Sequence, residues 1–154
     1  MTHLSKCTEW QAEPGVSSRM AGVTGESLPS SFYERVGGQP FFDALTRRFY
    51  QGVAADPVLR PLYPDGDEAL EESRLHLELF LIQYWGGPAT YSDTRGHPRL
   101  RMRHAPFPIG PAQRDAWIRH MRDAVGEAEL PALEEIQLLG YLTTSAEHLM
   151  NQPA

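Results

Sequence analysis

Breaks in the chain constrain this fold more than any single residue does. From Ser31 onward the sequence is cut at Gly37-Gly38, at Asp56-Pro57, at Gly86-Gly87-Pro88 and along the run PFPIGP that begins at Pro106. Glycine reaches the left-handed conformation that ends helices, and proline pushes the residue before it out of helical space. Between the breaks, apolar residues return every three or four positions. Phe42, Leu45, Phe49 and Val53 form one stripe, and Leu70, Leu77, Phe80, Leu81 and Tyr84 form the next. That is the period of a helix with one buried face. No run alternates with period two between turns, so no sheet is expected and the class is all-α. Long helices are predicted over about 39–56, 68–85, 111–127 and 131–150, with short helical turns at SFYERV and PRLRMRHA. In the second of these Pro98 would occupy the first turn, and ATYSDTRGH before it reads as a loop.

Composition narrows the functions open to such a fold. The chain has 154 residues, 41% of them hydrophobic, enough for one core. Residues 1 to about 30 mix Ser, Gly, Pro, Glu and Thr without a period, and read as a disordered leader ahead of a single domain at 31–154. Met20 within this segment leaves a later start as an alternative reading. The formal net charge of −6 opposes general attraction to nucleic acid or anionic lipid. A lone cysteine, Cys7, offers neither an internal disulfide nor a CxxCH attachment site, which suits a cytoplasmic setting. No stretch approaches the roughly 18 apolar residues of a membrane span.

Against this acidic background, RGHPRLRMRHAPFPIG (residues 95–110) places two histidines among four arginines. On a short helix Leu100 and His104 share one face, and Arg99 and Arg103 share another. His97 precedes Pro98 and falls in the loop. The two histidines therefore do not form the one-turn pair that a zinc site uses. Taken alone, His104 reads equally as a core histidine bonded to a carbonyl. Elsewhere Tyr50, Tyr63 and Trp117 each place a polar tip in an apolar stripe, Trp117 beside Met121 and Val125. Buried hydroxyl and indole groups need partners. Singly each is a core aromatic; together they suggest a pocket whose donors converge on one acceptor.

The motifs FYERVGG (32–38), FYQGVAADPVLRPLYP (49–64), QYWGGPATYSDTRGHPRLRMRHAPF (83–107) and RDAW (114–117) resemble those of group II truncated haemoglobins of the actinobacterial, haemoglobin O type. The resemblance runs from Ser31 to the C-terminus. It implies a two-over-two helical sandwich around haem b, with His104 as the proximal ligand of the iron. It also implies distal positions for Tyr50, Tyr63 and Trp117, where they hydrogen-bond a bound gas. Leu77, Phe80, Leu100, Met102 and Trp117 would then contact the haem, and Arg95, His97 and either Arg99 or His76 would meet its propionates. The segment between Tyr63 and Trp85 is longer than the family pattern. Counting back from Trp85 puts Ser73 at a small-residue distal gate and Leu77 over the haem, whereas counting forward from Tyr63 shifts both. Helix phase favours the first, because Leu77, Phe80, Leu81 and Tyr84 then keep one inward face. The leader lies outside the family pattern.

A neutral imidazole is a good iron ligand, and an open position opposite it accepts O2, NO, CO or peroxide. Oxygen bound to iron(II) gains partial negative charge, which hydroxyl and indole donors stabilise more than they stabilise CO. At about 1.5 kcal/mol each, two donors slow O2 escape roughly a hundredfold. Oxygen binding, nitric oxide dioxygenation and peroxidase turnover all stay open on this reading. Both kinds of turnover call for a separate reductase. A homodimer is left open, as is a haemless interaction module on the same scaffold.

Overall fold

The computed structural model describes residues 30–153, so the expected leader lies outside the described residues apart from Ser30. The elements are α1 (Phe32–Arg35), α2 (Gln39–Ala55), a 3₁₀ turn (Arg60–Leu62), α3 (Asp67–Tyr84), α4 (Thr90–Arg95), α5 (Leu100–His104), α6 (Pro111–Glu127) and α7 (Ala132–Leu149). No strand occurs among the described residues, and none of their helices is long and apolar enough to cross a membrane. Helix α2 packs on both α3 and α6, and α6 packs on α7. Two helix pairs are thereby stacked, the expected two-over-two sandwich. The short α4 rests on α3, and α5 on α7.

Local chemistry explains the element boundaries. Ser31 Oγ accepts the Glu34 N–H at 3.2 Å and caps α1. Pro40 lies in the first turn of α2, where its missing donor costs nothing. Along α2, Phe42, Leu45, Thr46, Phe49, Tyr50 and Val53 are buried, the face the spacing predicts. Asp67 and Glu68 occupy the first turn of α3, where carboxylates complement the positive end of the helix dipole. At the far end of α3 the chain turns tightly at Gly86 (φ 102°) and Gly87. A Cβ on Gly87 would stand 2.6 Å from an Ile82 methyl and 2.8 Å from the Tyr33 ring, so only glycine lets α1 close on this corner. Tyr33 N–H then donates to the Trp85 carbonyl at 2.9 Å.

Two expectations need correction. ATYSDTRGH is not all loop: Thr90–Arg95 is helical, anchored by the buried Tyr91. Pro98 does not begin α5. Arg99 stands at the N-cap with φ 44°, a left-handed conformation uncommon for a residue with a side chain, and the helix starts at Leu100.

The α2–α3 interface also contains a charge cluster invisible to an apolar stripe. Arg74, 3% exposed, donates to Glu71 (2.7 Å), Thr46 Oγ1 (3.0 Å), Asp43 (3.4 Å) and the equally buried Glu78 (3.4 Å). Gln39 Nε2 donates to the other Glu78 oxygen at 2.9 Å. Breaking a buried ion pair from one side strands a charge and typically costs about 3–5 kcal/mol, whereas replacing both partners by apolar groups is often neutral. Arg74→Met alone is therefore expected to lower stability by about 3 kcal/mol, and the double variant Arg74→Met/Glu78→Leu to recover most of that loss, as read from denaturant midpoints.

Candidate functional site

Between the helix pairs lies a cavity of about 350 Å³, within the usual size of a small-molecule pocket. Helix α2 contributes Tyr50, the following turn Leu59, Leu62 and Tyr63, and α3 contributes Ser73, His76, Leu77, Phe80 and Leu81. Leu100, Arg103 and His104 enter from α5, Trp117 from α6, and Tyr141, Leu142 and Ala146 from α7. The lining is mostly apolar, with polar groups at a few places.

His104, the last residue of the five-residue α5, lines the cavity. Its Nδ1 lies 2.7 Å from the Leu100 carbonyl one turn back. A carbonyl can only accept, so Nδ1 carries the proton and Nε2 keeps its lone pair. Burial lowers the pKa of the ring, with the Arg103 charge adding to it and the Leu100 hydrogen bond working against it. The ring is a neutral imidazole with one nitrogen fixed by the backbone and the other available as a ligand.

Elsewhere in the wall three aromatics form a connected group. Tyr50 and Tyr63 meet edge to face at 5.5 Å, and Phe49 bridges Tyr50 (5.1 Å) and Trp117 (5.2 Å). Burial pushes the Tyr63 hydroxyl up to about 12, and hydrogen bonds from Tyr50 and Trp117 pull against that rise. Tyr50 is raised well above the usual phenol value by burial first and by Tyr63 second. An indole N–H can only donate, so the Tyr63 oxygen accepts from Trp117, while Tyr50 and Tyr63 are hydrogen-bonded to each other.

Of the residues singled out in the sequence, His104, Leu77, Phe80, Leu100, Arg95, Trp117, Tyr50, Tyr63 and Ser73 all stand in this wall. Ser73 and Leu77 both line the cavity. The Ser73 hydroxyl donates to Ala69 O at 3.1 Å and so satisfies its own helix. His97, Arg99 and Met102 are not in the wall. His97 Nδ1 accepts the Arg99 N–H at 3.2 Å in an exposed turn, and Met102 is 47% exposed on the outer side of α5. All three side chains are exposed to solvent.

Sequence reasoning missed Arg103, Tyr91 and Tyr141. Arg103 belongs to the basic face only nominally. Its guanidinium donates to the carbonyls of Pro98 (2.7 Å), Arg95 (2.9 Å) and His97 (3.4 Å) and lies 5.9 Å from the Tyr91 ring centre. No local sequence signal marks such a role, because the carbonyls converge only after the turn forms. Tyr141 stacks on Tyr84 at 3.9 Å, a contact between α7 and α3 that periodicity within one helix does not reveal.

These residues suit haem. Among the described residues no three His, Cys, Asp or Glu side chains gather into a metal-ligating cluster. An iron ligated by His104 would thus need a macrocycle for its remaining positions, and the apolar walls suit one. Arg95, Arg103 and Arg114 are among the lining residues, and guanidinium groups of this kind can pair with the carboxylates of a cofactor.

His76 and Arg95 are coupled. Arg95 Nη1 donates to His76 Nε2 at 2.9 Å, which requires a neutral His76. Burial first, and the Arg95 charge second, lower its pKa. A histidine depressed in the folded state contributes stability that is complete above its unfolded value and lost as the pH falls below it. Melting temperature is therefore expected to fall as pH drops below about 6.5, and His76→Gln to flatten that decline.

Comparison with known proteins is consistent across the domain. Residues 31–151 match the family model for bacterial-like globins. The chain is 39% identical to the group 2 truncated hemoglobin YjbI of Bacillus subtilis over 78% of its own length and 88% of that protein. Among solved structures, it is similar to a thermostable haemoglobin from the actinobacterium Thermobifida fusca, at 57% identity, TM-score 0.78, over 81% of this chain and all of that one. The group II truncated haemoglobin of Bacillus anthracis aligns at 34% identity and TM-score 0.78 over 83% of this chain and 96% of that one. The chain belongs to the bacterial-like globin family and, within it, to the group II truncated haemoglobins, haem-iron proteins that bind small gaseous ligands.

Proposed function

We infer that the protein carries haem b with His104 as axial ligand and holds O2 tightly through Tyr63 and Trp117. One observation carries this reading. The same cavity contains a neutral imidazole whose Nδ1 is held by the backbone and a buried hydroxyl hydrogen-bonded to Tyr50 and Trp117. When bound, haem supplies a ferrous iron able to take a diatomic gas at its open position.

The chain's own residues decide how that gas is held. Trp117 donates to the Tyr63 oxygen, and on this reading Tyr50 does too, which would leave the Tyr63 proton for the gas and make it a stronger donor. Trp117, which lines the same cavity, is the second donor on this reading. Tyr50 acts through Tyr63. Leu77, Phe80 and Leu100 exclude water, which strengthens each of these interactions. Arg95, with His76 fixing it, and Arg103 meet the propionates. A Bacillus subtilis relative described as an oxygen-avid truncated haemoglobin, 38% identical with TM-score 0.73 over 79% of this chain and all of that one, supports tight oxygen binding.

Oxidation of nitric oxide to nitrate and peroxide-driven oxidation are further uses of the same site, each with a reductant from a separate protein. Nitrate appearing when the oxygenated protein meets nitric oxide would establish the first. A haemless module is not favoured, since burying a neutral imidazole and three polar aromatics around an apolar cavity serves no interaction surface. The visible absorption spectrum of the purified protein decides that point.

His104→Ala is expected to leave the helices formed and to remove most haem, while His97, His120 and His148 are replaceable without loss of iron ligation. A full haem complement and unchanged ferrous spectrum in His104→Ala would overturn the assignment. Tyr63→Phe and Trp117→Phe are each expected to speed O2 dissociation about tenfold, from about 1.5 kcal/mol per lost hydrogen bond, and to change CO dissociation less. Equal acceleration of both gases in stopped flow would mean that the aromatics only obstruct the exit.

A further inference from the structure

Both distal donors lead back to one carboxylate. Asp56 ends α2 and is 7% exposed. Its Oδ1 accepts the Val58 N–H at 2.8 Å, and the Leu59 N–H also donates to the side chain. Its backbone carbonyl accepts the Arg60 N–H at 2.8 Å. These bonds set the start of the 3₁₀ turn that delivers Tyr63. The same turn is closed by Arg60, whose Nη1 donates to the carbonyls of Tyr63 (3.3 Å) and Pro64 (3.0 Å).

The other oxygen of Asp56 faces a different helix. Oδ2 accepts from His120 Nε2 at 2.6 Å and from Arg119 Nη2 at 3.1 Å, both on α6. His120 stands three positions after Trp117, so its side chain reports the rotation and height of the same helical turn. The ring is seated against α2 as well: a Cβ on Gly52 would lie 2.4 Å from His120 Nδ1. Glycine at position 52 is what lets His120 approach Asp56. One carboxylate therefore holds the Tyr63 turn with one oxygen and the Trp117 helix with the other.

We propose that Asp56 is a positioning residue for the distal pocket, fixing the Tyr63 hydroxyl and the Trp117 indole relative to each other through Val58, Leu59 and His120. The proposal rests on the reading that Tyr63 and Trp117 face the bound gas. Hydrogen-bond strength falls steeply with distance and angle, so a small shift between turn and helix weakens donors that Asp56 never touches.

The test uses the haem-loaded protein in its CO form, where the infrared C–O stretch reports the positive potential at the ligand. Tyr63→Phe and Trp117→Phe set the scale by raising that stretch. Asp56→Ala and His120→Leu are expected to raise it too and to speed O2 release at least about threefold, with a smaller change for CO. The indole N–H resonance of Trp117 should move in both. His120→Gln keeps an N–H toward Asp56 and is expected to stay near the parent stretch. Should Asp56→Ala fail to fold, Asp56→Asn, which keeps an acceptor for Val58, carries the measurement with His120→Leu. If Tyr63→Phe and Trp117→Phe move the stretch while the Asp56 and His120 variants leave it unchanged, the positioning role is wrong and the distal reading stands. If none of them moves it, the distal reading fails and takes this inference with it.

Discussion

The proximal side of the cavity depends on the hydrogen bond from His104 Nδ1–H to the Leu100 carbonyl, 2.7 Å long. It selects the tautomer, aims Nε2 and joins the ring to the backbone. It also imposes a demand, because the two residues must stay one turn apart on a helix of only five residues. A helix that short is unstable alone, since nucleation costs more than its few bonds return. Its stability must come from the flanks. Arg103 gathers the carbonyls of Arg95, His97 and Pro98 on one side. Asn151 accepts the Ile109 N–H at 3.0 Å and donates to the carbonyls of Phe107 (2.8 Å) and His104 (3.3 Å) on the other. The side chains of Arg103, within α5, and of Asn151, far outside it, thus supply bonds that the helix's few backbone hydrogen bonds cannot.

The other wall solves a different problem. Three polar tips are buried in an apolar region, where each unmatched group would cost about 1–3 kcal/mol. Trp117 resolves this by donating to Tyr63, and Tyr50 by sharing a hydrogen bond with it. Burial outweighs the opposing Arg74 charge at Tyr50 and keeps both phenols protonated across the physiological range. The two walls are then chemically opposite: one presents a lone pair, the other a proton. A ligand that bonds to a metal at one end and carries negative charge at the other fits between them.

How much of this could be read from the sequence follows from which interactions are local. The stripe Phe42, Leu45, Phe49 and Val53 repeats within one helix and so appears in the sequence directly. His104 and the polar aromatics were identified because each broke an apolar pattern, and the family resemblance assigned them roles. Helix α4 escaped notice because six residues with one buried side chain, Tyr91, carry no period. Arg74 and Glu78, four apart, look like an ordinary solvated pair; only the approach of α2 turns them inward. Asp56 looks like a helix stop before Pro57, which it is. Its second role needs His120 from a helix some sixty positions later.

The charge pattern that first stood out, four arginines in nine residues of an acidic chain, is best understood as structural before it is electrostatic. Arg103 is spent on backbone carbonyls, and Arg95 is engaged by a neutral histidine. Arg99 begins the helix in a conformation that glycine would adopt more easily, so its side chain is directed by the backbone and not by a partner. Neutral acceptors leave the guanidinium charges of Arg95 and Arg103 uncancelled. A carboxylate entering the polar part of the cavity wall would meet them already oriented, with little side-chain entropy left to lose. The same bonds that hold the short proximal helix in place therefore prepare its surroundings for an anionic cofactor, and an arginine exposed to solvent on a long, free side chain would do neither.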